Sequence, residues 1–249
     1  MLPHAESLEG KPVPQVSFKT RHENGWRDLT TDELFKGKTV VVFSLPGAYT
    51  PTCSSTHLPR YNELAGVLRD NGVDDIVCMS VNDAFVMDEW KQGQDASDIT
   101  FVPDGNGDFA RGMGMLVDKR ELGFGMRSWR YSMLVRDGVI EKIFVEPEVE
   151  GDPFEVSDAD TMLRHINPDA RAPDPIVVFA RAGCPFCARV KALLAEHGLR
   201  YTEIAQSQKI NTSVLRAVTG HMTWPQVFIG GRLIGGADEL ESHLAAARG

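Results

Sequence analysis

Residues 168–175 read Pro168-Asp169-Ala170-Arg171-Ala172-Pro173-Asp174-Pro175. Proline has no N–H to give a helix or sheet and biases the residue before it toward extended backbone. Three prolines in so short a run, with no apolar periodicity, must interrupt whatever regular structure lies on either side. The segment predicts a semi-rigid spacer, on the order of 25 Å long at ~3.1 Å per residue. It separates a larger domain over 1–167 from a smaller one over 176–249.

Both parts alternate strand and helix patterns, which places the chain in the α/β class. In the first part, 13–18 and 26–29 suggest a hairpin. The β-branched run Thr39-Val40-Val41-Val42-Phe43-Ser44 predicts a buried central strand. A helix is predicted over 54–69, a second buried strand over 75–81, a helix over 84–91 and a third strand over 99–102. A glycine-rich stretch, 112–125, reads as loop. Runs at 131–135 and 139–145, split by Asp137-Gly138, predict a hairpin. Ser157 followed by Asp160 opens a last helix running to 165. The second part reads strand (176–180), helix (188–197), strand (201–205), helix (212–219), hairpin (227–229 and 233–234) and helix (237–247). Helices packed on a mixed sheet are expected in each part.

Charge is unevenly shared. Residues 1–170 carry 17 Lys and Arg against 29 Asp and Glu, a net −12, whereas residues 171–249 carry 9 against 6, a net +3. The acidic part argues against a nucleic-acid partner, and the basic part suits an anionic small ligand or docking onto the acidic part. No apolar run approaches the ~18 residues of a membrane span. The N-terminus carries acid where a signal peptide needs base, so a cytoplasmic protein is expected.

The chain has only four cysteines, too few for a disulfide scaffold at this length. No second close pair exists to build a zinc site, so reactive thiols are the better reading. Cys184-Pro185-Phe186-Cys187 follows a strand and opens a helix. The helix N-terminus favours a thiolate over a thiol. Such a pair within a βαβ pattern points to thiol–disulfide exchange, with Cys184 as the exposed nucleophile and Cys187 as the resolving thiol. In the first part, Pro46-Gly47-Ala48-Tyr49-Thr50-Pro51-Thr52-Cys53 sets another thiol in the first turn of a helix after the central strand. Pro46 is placed to shield it and Thr50 to hydrogen-bond the sulfur or an incoming oxygen. On composition alone, Cys53 reads equally well as a buried structural cysteine. Cys78 lies in an apolar run and reads as core. His57 reads as structural or surface-polar, because a thiolate so stabilised needs no base. Met113, Met115 and Met126 read as core or interface fillers.

Residues 176–249 resemble glutaredoxin. The resemblance rests on Cys184-Pro185-Phe186-Cys187, Thr223-Trp224-Pro225 and Gly235-Gly236-Ala237-Asp238. It implies a cis Pro225, with Thr223 and Trp224 beside it in the glutathione site and Trp224 pairing through its backbone with the glutathione cysteine. It further implies that Gly236, Ala237 and Asp238 hold the γ-glutamyl carboxylate, and that Arg181 stands where a lysine often meets the glycyl carboxylate. Trp224 departs from the family's valine, and Thr212 stands near a usual basic or Gln contact. Residues 3–165 are similar to type-5 peroxiredoxins through Pro46-x-x-x-Thr50-x-x-Cys53 and the Ser54-Ser55-Thr56-His57-Leu58-Pro59 that follows. The family's active-site arginine falls within Arg127-Ser128-Trp129-Arg130-Tyr131-Ser132. Spacing to Ser132 favours Arg127, with Arg130 second.

The whole chain thus resembles bacterial fusions of a peroxiredoxin with a glutaredoxin, which implies two thioredoxin-like domains. The implied activity is a glutathione-dependent peroxidase acting on hydrogen peroxide and alkyl hydroperoxides, with no bound cofactor or metal and with glutathione as reducing co-substrate. Cys53 becomes a sulfenic acid, is glutathionylated, and is regenerated through Cys184. A homo-oligomer, dimer or tetramer, with contact between the two domain types of neighbouring subunits is expected. The alternatives are a glutathione-disulfide oxidoreductase acting on glutathionylated proteins and a peroxide sensor that relays oxidation to a partner.

Overall fold

The β-branched run of the first part lies at the centre of a five-stranded mixed sheet in a computed structural model that describes residues 8–22, 25–149 and 151–246. The chain divides into two units, Met1–Ala172 and Pro173–Gly249. The first begins with the antiparallel pair β1 (Ser17–His22) and β2 (Gly25–Thr30). A short helix, α1 (Thr31–Phe35), follows, opened by a reciprocal cap between Thr30 and Glu33. β3 (Thr39–Leu45) pairs in parallel with β4 (Asp75–Ser80), which pairs in parallel with β5 (Thr100–Pro103). On its other side β3 meets β8 (Tyr131–Arg136), which forms the Asp137-Gly138 hairpin with β9 (Val139–Val145).

Both faces of this sheet are covered, so β3 is apolar throughout rather than alternating. Val41, Phe43 and Leu45 enter one core with Leu58, Tyr61 and Leu64 of α2 (Leu58–Asp70), Trp90 of α3 (Ala84–Gly93) and Met162 of α5 (Ala159–Ile166). Val40 and Val42 enter the other with Phe18, Phe35 and Phe109, the last on the one-turn helix α4 (Asp108–Gly112). The glycine-rich stretch is not plain loop. It holds β6 (Leu116–Asp118), a 3₁₀ turn at Arg120–Leu122 and the start of the region leading to β7 (Met126–Ser128), which pairs with β6.

Three further departures from expectation have local causes. The helix after Cys53 begins with a π-helical turn, Cys53–His57, before α2. Pro59 has no N–H for the carbonyl four residues back, and the ladder widens so that Leu58 N–H reaches the Cys53 carbonyl. The last helix of the unit is capped by Asp158, whose carboxylate accepts from Thr161 N at 2.9 Å. Ser157 is drawn instead to Glu146, and Asp160 to Arg60. Finally, the segment 168–175, expected as a semi-rigid spacer, makes local contacts near both of its ends. Ala170 and Ala172 are small and apolar enough to pack on the first core, while Pro175 accepts from Gly230 N in the second unit.

The second unit has the sheet order β11–β10–β12–β13. β10 (Ile176–Ala180) is parallel to β11 (Thr202–Ala205) and antiparallel to β12 (Gln226–Ile229), which turns back into β13 (Arg232–Gly235). Its helices are α6 (Pro185–Glu196), α7 (Thr212–Thr219) and α8 (Ala237–Ala246). Val178, Val190, Leu194, Leu215, Val227 and Leu240 form its core. α6 starts three residues before the predicted helix, because Cys184 is its N-cap and Pro185 its first residue.

Candidate active site

Cys53 is fully buried at the head of the π-helical turn. The loop before it runs from the end of β3 through Pro46 and Gly47, and Tyr49 takes φ 63° to complete the bend. Asn82 steadies that loop by accepting from Ala48 N at 3.0 Å. Thr50 donates its hydroxyl proton to Gly47 O at 2.9 Å, which leaves its oxygen lone pairs as acceptors.

A guanidinium reaches the sulfur, and it belongs to Arg130. Its Nη1 donates to Cys53 Sγ at 3.4 Å, and the residue is only 1% exposed. Nη2 binds the Asp152 carboxylate, and the Phe154 ring lies 5.6 Å from the guanidinium carbon. The Arg130 Nε–H has no partner among the described residues. Arg127, which spacing favoured, has other duties. Its Nε donates to Phe124 O at 2.8 Å and its Nη1 to Val81 O, fastening the loop before β7 to the end of β4. The reason is topological. Arg127 pairs with Val117 in the small β6–β7 sheet, whereas Arg130 sits at the threshold of β8, the neighbour of β3.

Sequence reasoning missed what surrounds Arg130. His57 is fully buried, which fits the structural and not the surface-polar alternative, and its Nδ1 lies 3.2 Å from Arg130 Nη1. Its Nε2 lies 3.2 Å from the Ser157 carbonyl, which can only accept, so Nε2 carries the proton and Nδ1 accepts from Arg130. Burial, then the Arg130 charge, lower the His57 pKa to about 3, so the ring is neutral at any physiological pH. Glu146, 1% exposed, accepts from the backbone N–H groups of Glu155, Val156 and Ser157 and from the Ser157 hydroxyl. The spacing of His57 from Cys53 signalled one helical turn; nothing in the sequence signalled Glu146 or Asp152. Cys78 is fully buried in the same core as Cys53, and burial pushes its thiol well up. Met113 and Met115 are core, while Met126 is 44% exposed.

In the second unit, Cys184 caps α6 and its Sγ accepts from Cys187 N at 3.3 Å. The thiol also faces the Trp224 carbonyl, 3.7 Å away, at the cis Trp224–Pro225 bond. Burial pushes the Cys184 thiol up. Donors outweigh it (the Cys187 thiol, the N–H groups of Cys187 and Phe186, and Arg181), and the net shift is downward. Burial and the neighbouring Cys184 raise Cys187 to about 11. A cleft of about 410 Å³ lies alongside, with Arg181, Thr223, Trp224, Pro225 and the segment 236–239 among its walls. Asp238 is turned to Arg189 at 2.6 Å, and Glu239 accepts from Gly236 N at 2.8 Å. All four cysteines are free thiols. Among the described residues no cluster of His, Cys, Asp or Glu suits a metal ion, and no helix is long and apolar enough to cross a membrane.

Residues 8–163 match the Redoxin family and 176–234 the Glutaredoxin family. A hybrid peroxiredoxin of Haemophilus influenzae is 59% identical over 96% of this chain and 99% of its own. The chain belongs to the hybrid peroxiredoxins. A Synechocystis peroxiredoxin is 55% identical over 67% of this chain and 96% of its own length. Among solved structures, a reduced Prx3 of Vibrio vulnificus in complex with hydrogen peroxide superposes with TM-score 0.60 at 40% identity. It covers 64% of this chain and 98% of its own. Both halves of this hybrid peroxiredoxin are thioredoxin-fold domains, the first the larger.

Two expectations follow for this hybrid peroxiredoxin. Arg130→Met slows oxidation of the reduced protein by hydrogen peroxide by about 10²-fold or more, the scale for losing one charge-stabilising donor. Arg127→Met, read by the same stopped-flow assay, changes that rate less than about fivefold and instead lowers thermal stability. Separately, iodoacetamide labels Cys184 far ahead of Cys187. Because the Cys184 pKa is depressed, its labelling rate reaches half-maximum at a lower pH than that of an unperturbed thiol, whereas that of Cys187 keeps rising toward its value of about 11.

Proposed function

We propose that the chain is a glutathione-dependent peroxidase in which Cys53 reduces the peroxide and Cys184 resets it. The observation that carries this reading is the Arg130 guanidinium on the Cys53 sulfur, in a fully buried pocket. Its cation faces both the attacking sulfur anion and the charge that grows on the departing oxygen. The Cys53 thiolate attacks one peroxide oxygen; the S–O bond forms and the O–O bond breaks. The leaving oxygen takes a proton and departs as water or an alcohol. Thr50, its proton given to Gly47, accepts from the peroxide O–H and orients it.

The sulfenic acid then condenses with glutathione to Cys53–S–SG and water. Cys53 is buried, so the larger thiol requires the 53–57 turn to open. Cys184, the thiol with the depressed pKa, attacks the glutathione sulfur and frees Cys53. A second glutathione, or Cys187, discharges Cys184. The cleft beside Cys184 supports glutathione binding through the Arg181 charge, the Trp224 backbone and the N-terminus of α8, where Gly236, Ala237 and Asp238 line the wall. The substrates are hydrogen peroxide and alkyl hydroperoxides. The charge difference of −12 against +3 supports exchange between subunits of a homo-oligomer.

Glutathione-dependent consumption of hydrogen peroxide by single Cys→Ser variants tests this. Cys53→Ser abolishes it. Cys184→Ser retains a single round of Cys53 oxidation but loses turnover by at least about tenfold. Mixing those two variants restores turnover; if the mixture stays inactive, exchange is not between subunits. A wild type that consumes no peroxide but deglutathionylates proteins through Cys184 overturns the peroxidase reading.

A further inference from the structure

His57 stands between the catalytic guanidinium and a rigid backbone anchor. One nitrogen, Arg130 Nη1, has two hydrogens and two acceptors: Cys53 Sγ at 3.4 Å and His57 Nδ1 at 3.2 Å. Occupying the second hydrogen fixes the rotation of the guanidinium plane and so the direction of the first. The opposite edge of the ring is fixed in turn. His57 Nε2–H donates to Ser157 O, which also accepts from Tyr61 OH at 3.1 Å. Ser157 is held by its N–H and hydroxyl on the buried Glu146 carboxyl, at 2.8 and 2.7 Å. An imidazole so held presents Nδ1 as a bare acceptor and has no freedom to turn over.

We propose that His57 is a positioning residue for peroxide reduction: its Nδ1 lone pair aims Arg130 at the Cys53 sulfur. The proposal rests on Cys53 being the peroxide-reducing thiol. It accounts for a polar ring buried among Phe43, Tyr61 and Phe154, whose ring centroids lie 4.9 to 5.5 Å away. An apolar side chain fills such a cage at less desolvation penalty, so the imidazole needs a reason to be there. A neutral acceptor also adds no positive charge beside a guanidinium that must stay cationic.

A volume-filling role and a positioning role predict opposite rankings for two substitutions. His57→Leu keeps apolar bulk and removes the acceptor. His57→Asn removes bulk but leaves an amide oxygen near the position of Nδ1. The test is the second-order rate of oxidation of the reduced full-length protein by hydrogen peroxide, in stopped flow. His57→Leu is expected to fall by roughly 10- to 100-fold, the scale for a misplaced catalytic group. His57→Asn is expected to stay at least about fivefold above the leucine variant. Equal rates, or a faster leucine variant, overturn the proposal. Where the asparagine variant does not fold by circular dichroism, His57→Gln, whose longer amide also supplies an oxygen, takes its place under the same criterion. Cys53→Ser is measured alongside. If it still consumes peroxide, the assignment of Cys53 fails; if it is inactive and the ranking is reversed, only the role of His57 fails.

Discussion

A buried arginine constrains the first unit more than any other residue. A guanidinium keeps its charge in proteins, and a charge withdrawn from water must be met by partners or it is strongly destabilising. Arg130, 1% exposed, is met by Asp152, by His57 and by the sulfur of Cys53. The partners come from two places: Cys53 and His57 from the π-helical turn after β3, and Asp152 from the loop between β9 and α5. The loop is held by Glu146, the turn by Pro59 and the loop that precedes Cys53 by Asn82. The scaffold of the thiol pocket is largely the set of contacts that make one buried cation tolerable.

The second unit activates a thiol differently. The cation beside Cys184, Arg181, is exposed rather than buried. The Cys184 sulfur sits at the N-cap of α6 and collects donors from the helix end and from Cys187, while Cys187 is kept protonated one turn in. Cys184 is 7% exposed, not the open nucleophile the motif predicts, but it lies beside a cleft and its lowered pKa suits exchange with another sulfur. Cys53, closed off and facing a fixed cation, is suited to a small oxidant. The two thiols therefore differ in setting: one is enclosed beside a fixed cation, the other sits at a helix cap.

Much of this was legible in the residue order. The continuous apolar run of β3, the Asp137-Gly138 turn and the strand–helix alternation after 176 specify local structure strongly, and the elements formed close to where the pattern placed them, with α6 starting earlier at Pro185. The cysteine motifs lie on single turns, so spacing alone put Cys53 and Cys184 at helix starts. What failed involved contacts across the fold. Arg127 and Arg130 are three residues apart, and only the pairing of β7 with β6 rather than with β3 decides which one faces the thiol. His57 reads as structural or surface-polar because a stabilised thiolate needs no base; its contacts with Arg130 and Ser157, 73 and 100 residues away, are not visible in the sequence. The segment 168–175 reads as a semi-rigid spacer because its prolines are visible in the sequence, whereas the packing of Ala170 and Ala172 is not.

The central claim is an order of events: oxidation at Cys53, then passage of glutathione to Cys184. Mapping the glutathione adduct by mass spectrometry after one equivalent of hydrogen peroxide and limiting glutathione tests it directly. In the Cys184→Ser variant the adduct is expected to accumulate on Cys53; in the Cys187→Ser variant it is expected on Cys184. An adduct that reaches Cys184 in a Cys53→Ser background at the same rate, with peroxide as the only oxidant, contradicts the account.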